Sequence, residues 1–275
     1  MQEMNHITSR NNPLVQRYAK LADKKHRESE RLFLLEGAKL FAEAVDAGVE
    51  IEAVLLCEGK RSAIAENTLC KMQGNSLFAD TQYLCLGESA FSKITTEKSP
   101  EGVICVAKHL DNLKFYNKIE RNDALQYNGE KIMLLYSLRD PGNVGTVARS
   151  AAAFGFDRLI VSEDTADPYS SRAMRASMGA FFKMKIDFVS EYASVIAALQ
   201  AEGRRVFCAE LRDGAVSLED IEISGSDCFL IGNEGHGIPA ELSAQCTGSV
   251  YIPIAPNSES LNAAIAASIL AFVQK

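Results

Sequence analysis

Short apolar runs alternate along this chain with stretches of helical periodicity. Runs such as IEAVLLC and CFLIG have the length and apolar content of buried strands, and AKLFAEAVDAG and EYASVIAALQAEG have the spacing of helices that cover a sheet. The alternation predicts an α/β fold with largely parallel strands. The predicted strands are RLFLLEG, IEAVLLC, QYLCL, VICVA, KIMLLYS, RLIVS, RVFCAE, CFLIG and VYIPI.

The alternation is interrupted between Lys108 and Glu130. This stretch is polar, contains several Asn and Asp residues and lacks a clean period. We therefore predict a first, small α/β domain over residues 1–108, a linker over 109–130 and a second domain over 131–275.

The composition narrows the class of protein. The 275 residues include 47% hydrophobic and 24% charged positions, with a net charge of −7, as in a globular cytoplasmic protein. No apolar run reaches the roughly 18 residues of a membrane span, and we see no secretory signal. The seven cysteines form no CxxC pair and no zinc-like cluster, so we expect no metal site.

The charge is unevenly distributed. Residues 1–40 carry eight Lys and Arg against five acidic residues, a local excess of three positive charges. Two interpretations stand equally: a solvated helix face, or a patch that contacts phosphates. Under the second interpretation the expected RNA contacts are Arg10, Lys24, Lys25 and Arg27.

Three segments of the second domain share one design, in which a strand leads through a turn into a helix. In the first, residues 131–155, a helix places apolar residues on a buried stripe and leaves Arg149 off it. Asn143 lies in the turn, as a helix cap or as a ligand-orienting amide. Arg149 is either a surface ion-pair partner or a functional cation. The predicted stripe is Val144, Val147, Ala148, Ala151 and Ala152.

The second segment is CFLIGNEGHGIP, residues 228–239. Three glycines after an apolar strand suit close contact between the backbone and a ligand. The pattern does not match GxGxxG, which argues against a nicotinamide dehydrogenase. Glu234 is either a turn carboxylate or a functional acid.

The third segment, residues 250–272, ends in a helix rich in small residues. Such a helix is either a core helix only or one that packs on two surfaces, including another subunit. The predicted buried stripe is Leu261, Ala264, Ile265, Ser268, Ile269 and Phe272.

The three segments, taken in order, resemble the three motifs of the SpoU (TrmH) family in the SPOUT superfamily. The matching patterns are Asn-x-Gly with an Arg six residues after the Asn, then GNEGxG, then IPI…SLN. Residues 167–184, DPYSSRAMRASMGAFFKM, look like the segment that is usually written SPKxxRASMGA in this family. Ser171 and Arg172 stand where Pro and Lys are usual. Pro256 stands where many members have Gly. The N-terminal part, with SPEGVICVA, is similar to the substrate-binding domain of these enzymes.

The resemblance implies a parallel-sheet domain with a trefoil knot, and a homodimer whose site borrows residues from both subunits. It implies that S-adenosyl-L-methionine is held mainly by backbone groups at Gly232, Ile252 and Leu261, with Asn262 supporting the loop. It also places Arg175 and Ser177 among the RNA contacts.

The implied reaction is 2′-O-methylation of a ribose in RNA. In the SpoU family the arginine of the first motif is proposed to be the catalytic group, and the matching residue here is Arg149. Because an ordinary guanidinium has a pKa above about 12, stabilisation of a developing oxyanion suits it better than proton removal. Glu234 is the other candidate for accepting the proton, and Asn143 and Asn262 are expected to fix loop and substrate geometry.

The N-terminal domain favours ribosomal RNA as the substrate. Two alternatives remain: a tRNA ribose methyltransferase, and a knotted RNA-binding protein without catalysis. The presence of Asn143, Arg149, Glu234 and Asn262 argues against the second alternative.

Overall fold

The computed structural model describes residues 4–116, 127 and 129–274. The strands in this part of the chain are β1 (Asn5–Ile7), β2 (Leu32–Glu36), β3 (Ile51–Cys57), β4 (Gln82–Leu86), β5 (Val103–Lys108), β6 (Leu113–Tyr116), β7 (Ile132–Leu135), β8 (Arg158–Ser162), β9 (Lys185–Val189), β10 (Val206–Ala209), β11 (Val216–Ser217), β12 (Cys228–Ile231) and β13 (Gly248–Tyr251). The α-helices are α1 (Pro13–Ala19), α2 (Lys24–Glu30), α3 (Ala38–Asp46), α4 (Ala63–Met72), α5 (Glu88–Ile94), α6 (Pro141–Ala153), α7 (Ser171–Ser177), α8 (Ala193–Ala201), α9 (Ala240–Ser243) and α10 (Ala263–Val273).

Tertiary contacts divide the chain into two units. The first contains the residues up to Leu110 together with Asp167–Phe182, and the second contains Asp111–Ala166 and the residues from Lys183 onward. The predicted boundaries at residues 108 and 131 stay a prediction. Most of the predicted linker, residues 117–126 and 128, lies outside the described residues.

The first unit is built on a mixed sheet with the strand order β1-β4-β3-β5-β2. Strands β1, β4 and β3 are parallel, whereas β5 runs antiparallel to both of its neighbours. Helices α1 and α5 pack on one face through Val15, Tyr18 and Phe91, which are all buried. Complete burial of a side chain of this size stabilises a fold by roughly 1.5–3 kcal/mol.

Asp167–Phe182 packs within this first unit, although it lies far along the chain. The ring of Tyr169 stacks on His109 with 4.1 Å between centroids, and its hydroxyl oxygen accepts a 2.9 Å hydrogen bond from the amide of Leu110. Burial lowers the pKa of His109 to about 4, and the nearby Arg31 acts in the same direction. His109 is therefore a neutral aromatic packing partner near pH 7.

The second unit has one sheet with the order β11-β13-β10-β12-β7-β8-β9-β6, and all of its pairs are parallel. The parallel C-terminal sheet predicted from the sequence is confirmed. Strands β12 and β7 lie side by side at its centre and are buried throughout. Because parallel strands end at the same edge, the loops after β7, β10, β12 and β13 converge there.

Helix α6 follows the predicted pattern. Asp140 caps it by accepting hydrogen bonds from the amides of Gly142 and Asn143, and Pro141 occupies the first turn, where its missing N–H costs nothing. The stripe Val144, Val147, Ala148 and Ala151 is buried, as predicted, and Ala152 is half-buried.

Of the six residues predicted to form the buried stripe at α10, only Ala264 is buried, so most of the predicted stripe is wrong. Ile265 and Phe272 are 52% and 50% exposed, while the buried face is formed by Ala264, Ala267, Leu270 and Ala271. Nearly every position of this helix is apolar, so its periodicity could not distinguish the two faces. The small alanines permit the close approach to the sheet, and the larger side chains stay outside.

Within residues 4–116 and 129–274, no helix is long and apolar enough to cross a membrane. The same part of the chain contains no group of three or more His, Cys, Asp or Glu side chains arranged to hold a metal ion.

Candidate functional site

Asn143 lies inside the first turns of α6 and is not its cap, because Asp140 takes that role. Its side chain is therefore available for tertiary contacts. Its Nδ2 donates a 2.8 Å hydrogen bond to Glu234, and its Oδ1 accepts one of 3.0 Å from Asn262. One amide thus joins the loops that follow β7, β12 and β13.

Glu234 is the centre of this network. Beyond the bond from Asn143, its carboxylate accepts hydrogen bonds from the backbone amides of Arg139 at 3.1 Å and Asp140 at 3.3 Å. Partial burial raises the pKa of Glu234, but the hydrogen bonds from Asn143 and from these backbone amides outweigh burial and leave the pKa below its ordinary value. Glu234 is therefore an ionised group whose oxygens are already occupied.

Asn262 begins α10. Its Oδ1 accepts hydrogen bonds from the amides of Ala264 at 2.9 Å and Ile265 at 3.3 Å, which caps the helix, while its Nδ2 reaches Asn143. Both ends of this side-chain amide are used. The network consequently fixes the start of α10 against α6, and the hydroxyl of Ser268 adds a 2.7 Å contact with Ser150 further along the two helices.

Arg149 lies two turns further along α6 and is exposed. Among the described residues it makes no hydrogen bond and no ion pair. Within that part of the chain, the surface ion pair that the sequence left open is not formed. An exposed guanidinium without a partner keeps all five donors available for an anionic ligand.

The loop over residues 232–238 is held in a tight hairpin. Asn233 and Gly237 exchange backbone hydrogen bonds of 3.1 and 3.0 Å, and the side-chain oxygen of Asn233 accepts from the amides of Gly235 and His236. A Cβ added to Gly232 would lie 2.7 Å from the carbonyl carbon of Gly237. The loop's own closure therefore requires Gly232, independently of any ligand.

The loop after β13 suits a ligand that is bound through the backbone. Ile252 and Leu261 are half-buried, and the residues between them are exposed. Among the described residues, the only hydrogen bond within 252–260 is the one from the amide of Ser258 to the carbonyl of Ala255. Free amides and carbonyls beside apolar side chains fit a cofactor such as S-adenosyl-L-methionine, whose flat adenine ring has hydrogen-bonding edges and faces that pack on apolar groups.

The sequence reasoning missed the segment after β10. Because β10 lies between β12 and β13, this segment ends at the same edge as the two loops just described. Leu211 is 78% exposed there, and Glu210 accepts hydrogen bonds from Ser243 at 2.5 Å and Ser249 at 2.8 Å. Only the strand order reveals this placement, since the local pattern is that of an ordinary loop.

The residues expected to contact RNA fall into two groups. Arg10, Lys24 and Lys25 are exposed, and Lys24 makes an ion pair of 3.7 Å with Glu28. Arg27 is only 5% exposed: it pairs with Asp167 at 2.5 Å and donates to the carbonyls of Leu21 and Ala22. This burial argues against Arg27 as a phosphate contact, because its guanidinium is already bonded within the first unit.

Arg175 and Ser177 also have partners within the first unit. Arg175 is partly exposed and pairs with Glu97 at 2.7 Å. Ser177 is fully buried, and its hydroxyl donates a 2.8 Å hydrogen bond to the carbonyl of Met174. The same kind of observation argues against Ser177 as an RNA contact, because its hydroxyl is buried and already bonded.

Both parts of the chain match known protein families. Residues 130–272 match the SpoU rRNA Methylase family, and residues 12–105 match the MRM3-like substrate binding domain. The chain is 30% identical to the 23S rRNA (guanosine(2553)-2′-O)-methyltransferase RlmP of Bacillus subtilis, with 98% of each protein covered. It is 28% identical to the 23S rRNA (uridine(2479)-2′-O)-methyltransferase of Streptomyces viridochromogenes, over 97% of this chain and 90% of the relative.

Solved structures agree with these matches. The AdoMet-bound rRNA methyltransferase from Sinorhizobium meliloti superposes with a TM-score of 0.80 at 30% identity, over 98% of this chain and 97% of that one. The match spans both units and includes an enzyme with its cofactor bound. The resemblance drawn from the three motifs is confirmed, and the chain belongs to the SpoU rRNA methylase family.

Proposed function

We propose that this protein transfers the methyl group of S-adenosyl-L-methionine to a ribose 2′-hydroxyl of ribosomal RNA, most specifically of 23S rRNA. The observation that carries the proposal is the hydrogen-bonded chain Asn262–Asn143–Glu234. It holds the loops of all three motifs at one sheet edge, and Arg149 projects from the helix that supplies Asn143. The names of the relatives add the RNA class.

The cofactor, when bound, supplies a methyl group on a sulfonium that a ribose oxygen can attack in line. The loops that carry Gly232, Ile252 and Leu261 hold it through their backbone groups. The cationic guanidinium of Arg149 stabilises the negative charge that develops on the ribose oxygen, or holds the adjacent phosphate, and the proton of the ribose hydroxyl leaves to water. Asn143 and Asn262 keep the loops in register, which preserves the alignment of the two reacting atoms.

We assign Glu234 a positioning role. A carboxylate whose pKa lies below the ordinary value is a weak base, and each of its oxygens already accepts hydrogen bonds. Its negative charge instead draws the amides of Arg139 and Asp140 and the side chain of Asn143 together. This assignment favours Arg149 over Glu234 as the group closest to the reacting atoms.

The proposal includes a homodimer formed through α10. The exposed side chains Ile265, Phe272 and Val273 form an apolar face, and Phe272 packs against Phe154 of α6 at 5.7 Å between ring centroids. A second copy of the chain would cover this face. Phe272→Glu should convert a dimer to a monomer in light scattering, whereas Lys71→Glu, at an exposed position on α4, should not. A wild-type monomer would exclude this part of the proposal.

A trefoil knot in the second unit and a cytoplasmic location complete the proposal. The knot is supported by the sheet order, in which β10 lies between β12 and β13, and by the packing of α10 against α6. The location is supported by the substrate named for the bacterial relatives and by the seven free thiols.

The test is methylation of unmodified 23S rRNA by the purified protein with radiolabelled cofactor, followed by mapping of 2′-O-methyl sites. Asn143→Ala and Arg149→Ala serve as inactive controls, and an unmodified tRNA pool tests the alternative substrate. We expect one modified 23S nucleotide and no labelled tRNA. Labelled tRNA alone would replace the substrate, and cofactor-independent RNA binding without transfer would establish the non-catalytic alternative.

A further inference from the structure

A cavity of about 590 Å³ opens beside the Glu234 network in the second unit. Its walls come from the loop after β7, with Tyr136 and Arg139, and from the loop after β12, with Glu234 and His236. The volume lies in the range of pockets that hold a small organic group. Because Glu234 belongs both to this wall and to the bond with Asn143, the cavity adjoins the proposed reaction site.

The cavity is preformed by an unusual backbone conformation. Ser137 has a φ of 56°, in the left-handed region that non-glycine residues seldom adopt. All three of its polar groups are bonded: its amide donates to Ser162, its hydroxyl to Asp164, and its carbonyl accepts from Asn233, each at 2.7 Å. These bonds tie the loop after β7 to the loop after β12, so little ordering is needed when a ligand binds.

The groups that line the cavity present flat surfaces. The half-buried ring of Tyr136 is held by an edge contact with Tyr192, at 5.5 Å between centroids. The imidazole of His236 is exposed, and its backbone amide is anchored to Asn233 at 2.9 Å. The guanidinium of Arg139 is held by Asp164. Proteins use such aromatic, imidazole and guanidinium planes to stack the unpaired bases of RNA.

The local charges favour a base over a phosphate. Arg139 is offset by Asp164, whose pKa is lowered: burial raises it, but hydrogen bonds from Ser162 and Ser137 and the charge of Arg139 outweigh burial. Glu234 adds a second carboxylate to the wall. A phosphate would meet no uncompensated cation here, whereas a neutral base can stack without a charge penalty.

We propose that this cavity binds the base of an unpaired nucleotide of the RNA substrate, next to the ribose that is methylated. The inference rests on the proposed function, and it adds Tyr136 and His236 as residues that recognise the substrate. Neither residue belongs to the Asn143–Glu234–Asn262 network. The imidazole Nδ1 of His236 lies 3.3 Å from the Asn233 side chain that closes the hairpin, so cofactor affinity is measured beside RNA affinity to separate substrate recognition from loop geometry.

The experiment compares His236→Ala, His236→Phe, Tyr136→Leu and Tyr136→Phe with the wild type. Three quantities are measured: KM for an unmodified 23S rRNA transcript, the affinity of that transcript by filter binding, and cofactor affinity by calorimetry. Loss of one stacking partner should raise KM and the RNA Kd roughly 5- to 100-fold, with cofactor affinity unchanged. The two phenylalanine variants keep a ring and should stay within about threefold of the wild type.

The outcomes are distinct. Unchanged RNA affinity in both His236→Ala and Tyr136→Leu overturns the inference, even where the wild type methylates normally. Weakened cofactor binding at unchanged RNA affinity would assign the cavity to the cofactor instead. A wild-type protein that transfers no methyl group would refute the proposed function, while filter binding would still decide whether the cavity holds RNA. Since Tyr136 packs at the edge of the core, the exposed His236 decides the question if Tyr136→Leu fails to fold.

Discussion

The side-chain amide of Asn143 donates a 2.8 Å hydrogen bond to the carboxylate of Glu234, 91 residues further along the chain. The same amide accepts a bond from Asn262, which lies 119 residues away. Three motifs that are separate in sequence thus meet through one side chain.

Glu234 should make the folded protein less stable as the pH falls. Its pKa in the folded protein lies below the ordinary value of 4.5, so its contribution is present above the unfolded pKa and is lost as the pH falls through the folded pKa. Glu234→Gln should lower the Tm at pH 7, and the difference in Tm from the wild type should shrink as the pH falls below the ordinary pKa of 4.5 and through the lower folded pKa. Thermal unfolding across pH measures this. Glu241→Gln, at an exposed position on α9, should show no such difference, and a difference for Glu234→Gln that persists at acid pH contradicts the assignment.

Arg149 should matter for the chemical step and not for the fold. Because it is exposed and unpaired among the described residues, Arg149→Ala should leave the Tm unchanged while it slows single-turnover methylation by roughly 10²–10³-fold. Arg149→Lys keeps the charge but loses the planar fork, so it should restore the rate only in part. Thr146→Ala, at another exposed position of α6, is the matched control. A near-wild-type rate for Arg149→Ala would remove it from the site.

Gly232 and Gly235 should respond differently to the same added methyl group. A Cβ at Gly232 would lie 2.7 Å from the backbone of Gly237, whereas one at Gly235 would meet only the side-chain oxygen of Asn233, at 3.6 Å. Gly232→Ala should therefore distort the loop, lower the Tm and weaken cofactor binding in calorimetry. Gly235→Ala should bind the cofactor as the wild type does. Equal affinities for the two variants would show that the shape of this loop does not govern the cofactor.

Arg27 should be a stability residue. Its side chain and that of Asp167 are 6% and 15% exposed, so Arg27→Ala leaves a largely buried carboxylate without its partner. We expect a loss of about 3–5 kcal/mol in the free energy of unfolding, measured with urea on the full chain. The double variant Arg27→Met/Asp167→Leu removes both charges and should recover most of this loss. Wild-type stability for Arg27→Ala would return this residue to the set of candidate RNA contacts.

Lys24 and Lys25 should instead contribute to RNA affinity. Both are exposed on α2, and loss of a lysine that contacts a phosphate weakens binding and reduces the salt dependence by about one unit of slope. Filter binding of a 23S rRNA transcript at several salt concentrations measures the slope for Lys24→Ala/Lys25→Ala. Lys71→Ala, whose lysine pairs with Asp46 at 2.7 Å, is the control. An unchanged slope would favour the solvated-face interpretation of the basic stretch.

The sequence alone was sufficient for several features of this protein. Eight of the nine predicted apolar runs contain all or nearly all of a strand of the structure, and the ninth, VYIPI, overlaps only the last two residues of β13. The α6 stripe could be predicted because apolar and polar positions alternate clearly along that helix, and four of its five residues are buried. The order of the three motifs identified the family, since glycine, amide and charged positions combine at fixed spacings in the first two motifs and IPI…SLN follows them. The sequence did not predict β1, β6, β9 and β11: β1 and β11 have only three and two residues, and polar residues interrupt the apolar pattern of β6 (LKFY) and β9 (KIDFV).

Other features depended on the tertiary structure. Charge counting could not separate buried Arg27 from exposed Lys24, since burial is decided by Asp167, 140 residues away. The buried face of α10 was ambiguous because almost every position is apolar. The partners of Asn143 and the placement of Leu211 follow from the strand order, with β10 between β12 and β13. Local periodicity reports which side of an element is apolar, but only the pairing of distant strands decides which loops become neighbours.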